Sequence, residues 1–565
     1  MKGYRDVVLR LAQTSLGTTV RGALGTRRTR AVSSVVLPRR RRGRGRAGGP
    51  ASRRAAGAAS RDRASSLEVE IDPTWQPQRL REDNLRRTVG ALDAGGVAHV
   101  LLRTASATRH SVAVSEDDRA RVLAALASGP HLRDARVQRV RGTDAVGRSV
   151  AAPALLGTSW DETDIFRVFR RVRARPDSFR VGERYGCDVE LWREGTAPGV
   201  AETMALAPRP NVASNLLPLE TLVDTEPVEV GGHCYARPRI FGSTMLEDVA
   251  FDIDVVYTWV DGDDPGWRER MQRARARERG VELHRESVSA HRFTSRDELR
   301  HSLRSLQSYA PWVRHVWLVT DQQRPSWLAA DTPGLTVVDH RDIVDDPTVL
   351  PTFNSNAVIS RLHHIPGLAE HYLYLNDDMF FGHDVRPQAF FHPSGVARLF
   401  PAKLHRPFGA VSTVDEPHVN LSRNIRTLLQ ERFGVTVTKA IRHTPYPQLR
   451  SRQLELESLF PEAYAEVLQH PFRHHDDIAP DQLLHYYLQI IGAGVTSSIP
   501  YDYVNVGRAE DHHRLRRLLH RRDRAVFCLN DAPGPGGPPI PDETVREFLD
   551  AYFPVPSSWE AAPTG

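Results

Sequence analysis

Tyr372-Leu373-Tyr374-Leu375-Asn376-Asp377-Asp378-Met379-Phe380-Phe381-Gly382 is an apolar run that breaks on one amide and two adjacent carboxylates. Holding two such charges at the exit of a buried strand is costly unless a cation or a hydrogen-bond network compensates them. The same construction recurs elsewhere in the chain. Ile253-Asp254-Val255-Val256-Tyr257 leads to Trp259-Val260-Asp261-Gly262-Asp263-Asp264-Pro265, His315–Val319 leads to Thr320-Asp321, and Leu335–Val338 leads to Asp339-His340. Ligands of open α/β sheets gather outside the carboxyl ends of the strands. Short strands that each end in acid therefore predict a site for a metal ion bound to phosphate.

Outward from that stretch, residues 251–400 alternate strand and helix patterns, as a parallel sheet with crossover helices requires. Ser295-x-x-Glu298 reads as a capping box opening a helix whose Leu299, Leu303 and Leu306 share one face. Residues 401–500 are mostly helical in pattern. Arg508–Arg522 is a basic helical stretch, Ala525–Leu529 another strand running into Asn530-Asp531, and Glu543–Tyr552 a last helix after the Gly/Pro loop Pro533–Pro541. Upstream, Val97–Leu102 and Ser111–Val114 read as strands and Glu116–Ser128 as a helix; Asp188–Trp192 and Pro227–Val230 are further strands. No chemistry is legible between 66 and 250. The expected fold is α/β, with a Rossmann-like parallel-sheet catalytic core and helical additions at 251–560. A small α/β or β-rich accessory region at 66–250 and a disordered basic tail at 1–65 precede it.

A chain of 565 residues has room for two or three domains. No apolar run approaches the ~20 residues of a membrane span. Cys187, Cys234 and Cys528 stand far apart without CxxC or zinc spacing, which points to a reducing compartment. The N-terminus lacks the uninterrupted apolar stretch and cleavage site of a secretory signal, so a cytoplasmic location is expected. Charge is unevenly placed: residues 1–65 carry Lys2 and sixteen Arg against Asp6 and Asp62, a net +15 in a chain whose total is +7. The folded body is therefore acidic, and the basicity belongs to the tail. Its first twenty residues and the run Arg39–Arg46 suit peripheral contact with anionic lipid at the inner face of a membrane. A solvated tail, or nonspecific attraction to nucleic acid, is the plainer alternative, and no specific nucleic acid is expected. Lysine occurs only at Lys2, Lys403 and Lys439, so no Gly-Lys-Ser/Thr exists and a P-loop is excluded.

The blocks Ile253–Pro265 (IDVVYTWVDGDDP), DELRHSLRSLQSYAPWVRHVWLVT and HYLYLNDDMFFG within Arg292–Gly382, RHTPYP and FRHHDD within Arg442–Asp477, and CLND at Cys528–Asp531 followed by YFPVPSSWE resemble the conserved regions of the Stealth proteins. In order, these blocks fall at about 251–265, 292–400, 415–490 and 500–560. The family includes bacterial capsular and cell-wall polysaccharide phosphotransferases and the catalytic subunit of the animal N-acetylglucosamine-1-phosphotransferase. The resemblance implies transfer of a hexose 1-phosphate from a nucleotide diphosphate sugar, a UDP-linked one in the simplest case, to a sugar hydroxyl of a polysaccharide or oligosaccharide acceptor. Such transfer needs charge neutralisation, alignment and a proton acceptor more than a covalent nucleophile. By motif, Asp378, His443 and Arg473 match the family's catalytic acid, His and Arg. Chemistry suggests His443 as general base and Arg473 as phosphate clamp. Asp377, Asp378, Asn530 and Asp531 are the expected ligands of Mg²⁺ or Mn²⁺, Asn376 and Asp377 face the cofactor side, and Asp261 resembles the nucleotide-side loop.

One position departs from the family. In Asn354–His364 (NSNAVISRLHH) the family's Ala-Ile-Glu-Ser motif aligns its Glu with Ile359, which neither accepts a proton nor binds a metal. Two rivals follow: a metal-dependent glycosyltransferase that attacks the sugar carbon, and a catalytically impaired sugar- or nucleotide-binding protein. The His474-His475-Asp476-Asp477 cluster resembles a metal site but reads more simply as a solvated charge group at a helix start. The Arg508–Arg522 stretch suits either a polyanionic acceptor or a solvated helix face.

Overall fold

The computed structural model describes residues 69–160, 162–196, 202–278, 295–532 and 538–562. The basic segment 1–65 and its expected membrane contact lie outside the described residues, as does part of the Gly/Pro loop. No described helix is long and apolar enough to cross a membrane. The chain divides into two compact units, one formed by Arg79–Arg173 and Arg180–Ser243, the other by the chain from Thr244 onward with Asp72–Gln78 and Ala174–Phe179.

The first unit is built on an eight-stranded, mostly antiparallel sheet. Its longest strand, Cys187–Thr196, pairs in parallel with His110–Ser115 and antiparallel with Ile165–Phe169. Leu85, Leu92, Val122 and Leu126 from its helices pack with Val112, Val137, Phe166 and Val189 of the sheet.

In the second unit the apolar runs become strands because β-branched and aromatic side chains pack well on a pleated surface covered on both faces. They are β1 (Ile253–Thr258), β2 (Val316–Thr320), β3 (Leu335–Asp339) and β4 (His371–Asn376), in the order β3-β2-β1-β4 and all parallel. A second, three-stranded sheet joins β5 (Met379–Phe381) to β8 (Val526–Asn530) and β7 (Tyr501–Asn505). The remaining strand of the main sheet, β6 (Tyr446–Leu449), lies antiparallel to β4 within a region whose pattern is mostly helical. Helices α1 (Pro265–Arg277), α2 (Glu298–Tyr309), α3 (Ser355–Ile359), α4 (Pro417–Phe433), α5 (Arg450–Leu459), α6 (Pro461–Gln469), α7 (Pro480–Ile490), α8 (His512–Arg521) and α9 (Asp542–Tyr552) surround these sheets. The α/β class expected from the sequence is the class observed.

Strand order reverses at β1, with β2 and β3 on one side and β4 on the other. Thr258 at the end of β1 pairs with Asn376 at the end of β4. The crevice between them is the topological switch point of the sheet. Helix α2 braces it from below. Leu299, Leu303 and Leu306 are buried as their spacing predicts, and small polar residues bury the other side. Ser302 hydrogen-bonds the Tyr257 hydroxyl (2.8 Å), and Phe381 N–H donates to Ser305 Oγ (3.0 Å). The capping box expected at Ser295 does not form. Asp297 occupies the N-cap in a left-handed conformation (φ 66°), and the Glu298 carboxylate accepts the Arg296 N–H instead.

Candidate active site

Asp377 and Asp378 form the link between the two sheets, where β4 gives way to β5. Leu529 N–H donates to the Asp378 carbonyl (3.0 Å), tying the turn to β8. The Tyr374 hydroxyl donates to Asn376 Oδ1 (2.7 Å) and meets Thr258 Oγ1 at 3.0 Å, which orients the side chain at the strand's last position. This turn opens into a cavity of about 1310 Å³ lined entirely by the second unit.

The cavity lining carries both acidic and basic side chains. Asp377, Asp378, Glu298 and Asp531 supply acid; Arg406, Arg442, His443 and Arg473 supply base. Among the acids, burial raises the Asp377 carboxyl well above the usual range, and the charges of Glu298 and Asp378 push the same way. Burial likewise lifts Asp378 to about 7, against the opposing hydrogen bond from the Cys528 thiol (3.3 Å). Asp378 Oδ1 is buried with no hydrogen-bond partner. A buried carboxylate oxygen without a hydrogen bond, beside a second carboxylate whose charge burial disfavours, is a donor pair suited to a hard cation. Asp531 is differently occupied: Arg296, itself buried, binds it at 2.7 Å and also holds Asp542 at 2.6 Å. Among the described residues, Asp377, Asp378 and Asp531 are not one of the groups whose ligand atoms converge within 4.8 Å. The donor set therefore fits an ion that takes one or two carboxylates and completes its shell with phosphate oxygens and water, as Mg²⁺ does.

Among the basic side chains, burial lowers the His443 pKa to about 4, and Arg406, Arg473 and His418 add to the effect. Its imidazole is thus neutral across the physiological range, and its Nδ1 is buried without a hydrogen bond. Arg473 sits on the loop between α6 and α7, where its Nη2 donates to Ser355 Oγ at the start of α3 (2.9 Å). Phe472 beside it stacks on Phe353 (centroids 5.5 Å apart), which in turn meets Trp267 of α1 edge-on. Asp481, at the first turn of α7, is 5% exposed in the same cavity, and burial raises its carboxyl to about 6 against the pull of Arg473 and Arg406.

Asn376, Asp377, Asp378, His443, Arg473, Asn530 and Asp531 all line this one cavity. Asp261 stands outside that lining. Its Oδ1 accepts the Asp263 N–H (2.8 Å), Asp263 pairs with Arg268, and Asp264 caps α1, so the acids of this loop serve the turn itself. The acids at the other strand ends are also locally engaged: Asp321 with Arg270 (2.9 Å) and Asp339 with Arg341 (2.7 Å). Glu298, Arg296, Ser355, Arg406 and Asp481 reach the cavity without having been singled out as site residues. Glu298 was singled out only as the acidic partner of a helix capping box. The reading of His474–Asp477 as wholly solvated needs correction. Asp476 is exposed, but Asp477 is completely buried, because its carboxylate turns inward to accept three hydrogen bonds. Ile359 closes α3, lines the cavity and belongs to the main hydrophobic core at 8% exposure.

The chain resembles known proteins over most of its length. Stealth protein conserved regions 1, 2, 3 and 4 match residues 251–279, 292–399, 442–489 and 516–564. The exopolysaccharide phosphotransferase SCO6021 of Streptomyces coelicolor is 38% identical over 87% of this chain and 92% of its own length. SCO6023 of the same organism, with the same description, is 41% identical over 87% of this chain and 84% of its own. The exopolysaccharide phosphotransferase CpsY of Mycobacterium tuberculosis is 37% identical over 70% of this chain and 73% of its own.

Proposed function

The chain belongs to the Stealth protein family, and from that premise we propose that it transfers a hexose 1-phosphate from a nucleotide diphosphate sugar to a sugar hydroxyl during exopolysaccharide synthesis. The observation that carries this reading is that carboxylates, arginines and a neutral histidine line one cavity at the switch point. A diphosphate bridged to a cation needs both acid and base. At about 1310 Å³ the cavity exceeds the ~300–1,000 Å³ of ordinary ligand pockets, leaving room for donor and acceptor together.

In this scheme the acceptor oxygen attacks the sugar-side phosphorus, the bridging P–O bond breaks, and a nucleoside monophosphate leaves. His443 takes the hydroxyl proton, for which its neutral form is ready. Arg473, with Arg406 and Arg442 nearby in the lining, holds the phosphoryl oxygens while charge redistributes. Asp377 and Asp378, with Asn530, would hold a divalent cation, Mg²⁺ or Mn²⁺, whose contribution is to neutralise the diphosphate. The UDP-linked donor and the anionic-membrane contact of residues 1–65 belong to this proposal on sequence grounds alone.

The deciding experiment is to incubate the purified protein with a panel of nucleotide diphosphate sugars and an oligosaccharide acceptor and identify the released nucleotide. Monophosphate release supports phosphotransfer. Diphosphate release would mean glycosyl transfer, and no turnover with retained binding would favour the impaired reading that Ile359 motivates.

A further inference from the structure

The loop that carries Arg473 is tied to the cavity by a buried group with no assigned role. Asp477 lies four residues beyond Arg473 and is fully buried. His470 Nδ1 donates to its Oδ1 (2.7 Å), while Asn354 Nδ2 (2.8 Å) and His474 N–H (2.9 Å) donate to its Oδ2. Burial works against a charged His470, but the bond and charge of Asp477 overcome it and raise the His470 pKa. Asn354 is also the N-cap of α3, its Oδ1 accepting from Asn356 N–H (3.1 Å). The next residue, Ser355, receives Arg473 Nη2. From the other side, Asn424 Nδ2 donates to the carbonyls of Asp477 (2.8 Å) and His475 (2.9 Å). The contacts close into a ring: Asp477 to Asn354, along the chain to Ser355, across to Arg473, and back along the loop.

We propose that Asp477 is a positioning residue whose buried carboxylate, through Asn354 and Ser355, fixes the Arg473 guanidinium where the transferring phosphoryl group must pass. This rests on the reading of the cavity as a sugar-phosphate transfer site. A surface charge pair would be solvated and mobile; a carboxylate with three donors in the interior holds its loop in one geometry. Displacing a phosphate-binding group by about 1 Å costs on the order of 100-fold in rate. An Arg on an untethered loop would bind the donor but miss that geometry, so the defect should fall on kcat more than on KM.

A double-mutant cycle tests it, using Asp477→Asn, Arg473→Ala and both together in the full chain, with kcat, KM and melting temperature measured for each. Asp477→Asn is expected to lower kcat about 10- to 100-fold and to have no further effect on kcat in the Arg473→Ala background, because its action runs through that side chain. Ser355→Ala cuts the ring at its other end without touching the buried carboxylate. It should lower kcat in the wild-type background, by less, and be equally silent beside Arg473→Ala. Multiplying effects in either pair, or unchanged kcat in Asp477→Asn, overturn the proposal. Failure of the functional reading is separable, since it shows in the wild-type protein as the absence of a nucleoside monophosphate product.

Discussion

Asp378→Asn should separate stability from activity and does so with a definite pH signature. In the chelated protein Asp378 keeps its proton up to about 7 because burial disfavours the carboxylate, whereas in the unfolded chain it ionises near ~3.9. Its folded pKa is raised, so its contribution to stability is fully present below the unfolded value and is lost as pH rises through the folded one. At ~1.4 kcal/mol per tenfold difference in proton affinity, the loss reaches at most ~4 kcal/mol above neutrality. Water in the cavity reduces this, and ~1–3 kcal/mol is the expected range. Asn has nearly the same shape, accepts the Cys528 hydrogen bond, and never ionises. In EDTA the variant should therefore match wild type near pH 4 and melt a few degrees higher at pH 8, at roughly 1–2 °C per kcal/mol for a unit of this size. Turnover of the same variant with Mg²⁺ present should fall by orders of magnitude, since the residue whose burial costs stability is the one a bound cation needs. Thermal melts across pH 4–8 with and without EDTA, paired with nucleotide release, give the answer. A variant that melts below wild type at pH 8, or that keeps its turnover, refutes the reasoning about Asp378.

The remaining predictions concern the other groups of the cavity and the tail. With the His443 pKa depressed to about 4, the free enzyme's kcat/KM should owe no acid limb to this residue between pH 5 and 8; an inflection near ~6.5 that vanishes in His443→Gln would contradict the depressed value. Exhaustive chelation should abolish turnover and Mg²⁺ or Mn²⁺ should restore it, so full activity in chelator removes the cation from the scheme. Ile359→Glu should cost ~2–4 kcal/mol of stability by placing a carboxylate in the apolar core and bring no gain in rate; a faster variant with an unchanged melting temperature would show that the position still accommodates a charge. Deleting residues 1–65 should leave turnover of soluble substrates intact and weaken sedimentation with phosphatidylserine vesicles, and unchanged sedimentation would show the segment to be idle.

Much of the second unit was legible because its signals are local. A parallel strand buried on both faces reads as an unbroken apolar run, and Asn376-Asp377-Asp378 at the end of β4 announces a strand exit whatever surrounds it. The spacing of Leu299, Leu303 and Leu306 likewise gives α2 its buried stripe within one stretch of chain. What escaped the one-dimensional reading depends on partners far away. Tyr446–Leu449 is a strand only because the edge of β4 is open to receive it.

The amino-acid sequence alone determined where acid, Arg and His would stand and which segments would be the parallel strands of the main sheet, since periodicity and turn chemistry act over a few residues. Tertiary structure decided which charges were already spent. Asp261 and Asp339 serve their own turns, while Asp531 is taken by Arg296, 235 residues distant. Asp477, which resembled a solvated neighbour of Asp476, is drawn inside by Asn354 from 123 residues away. A charge is costly or useful according to what lies within a few ångströms, and that neighbourhood exists only once the chain has folded.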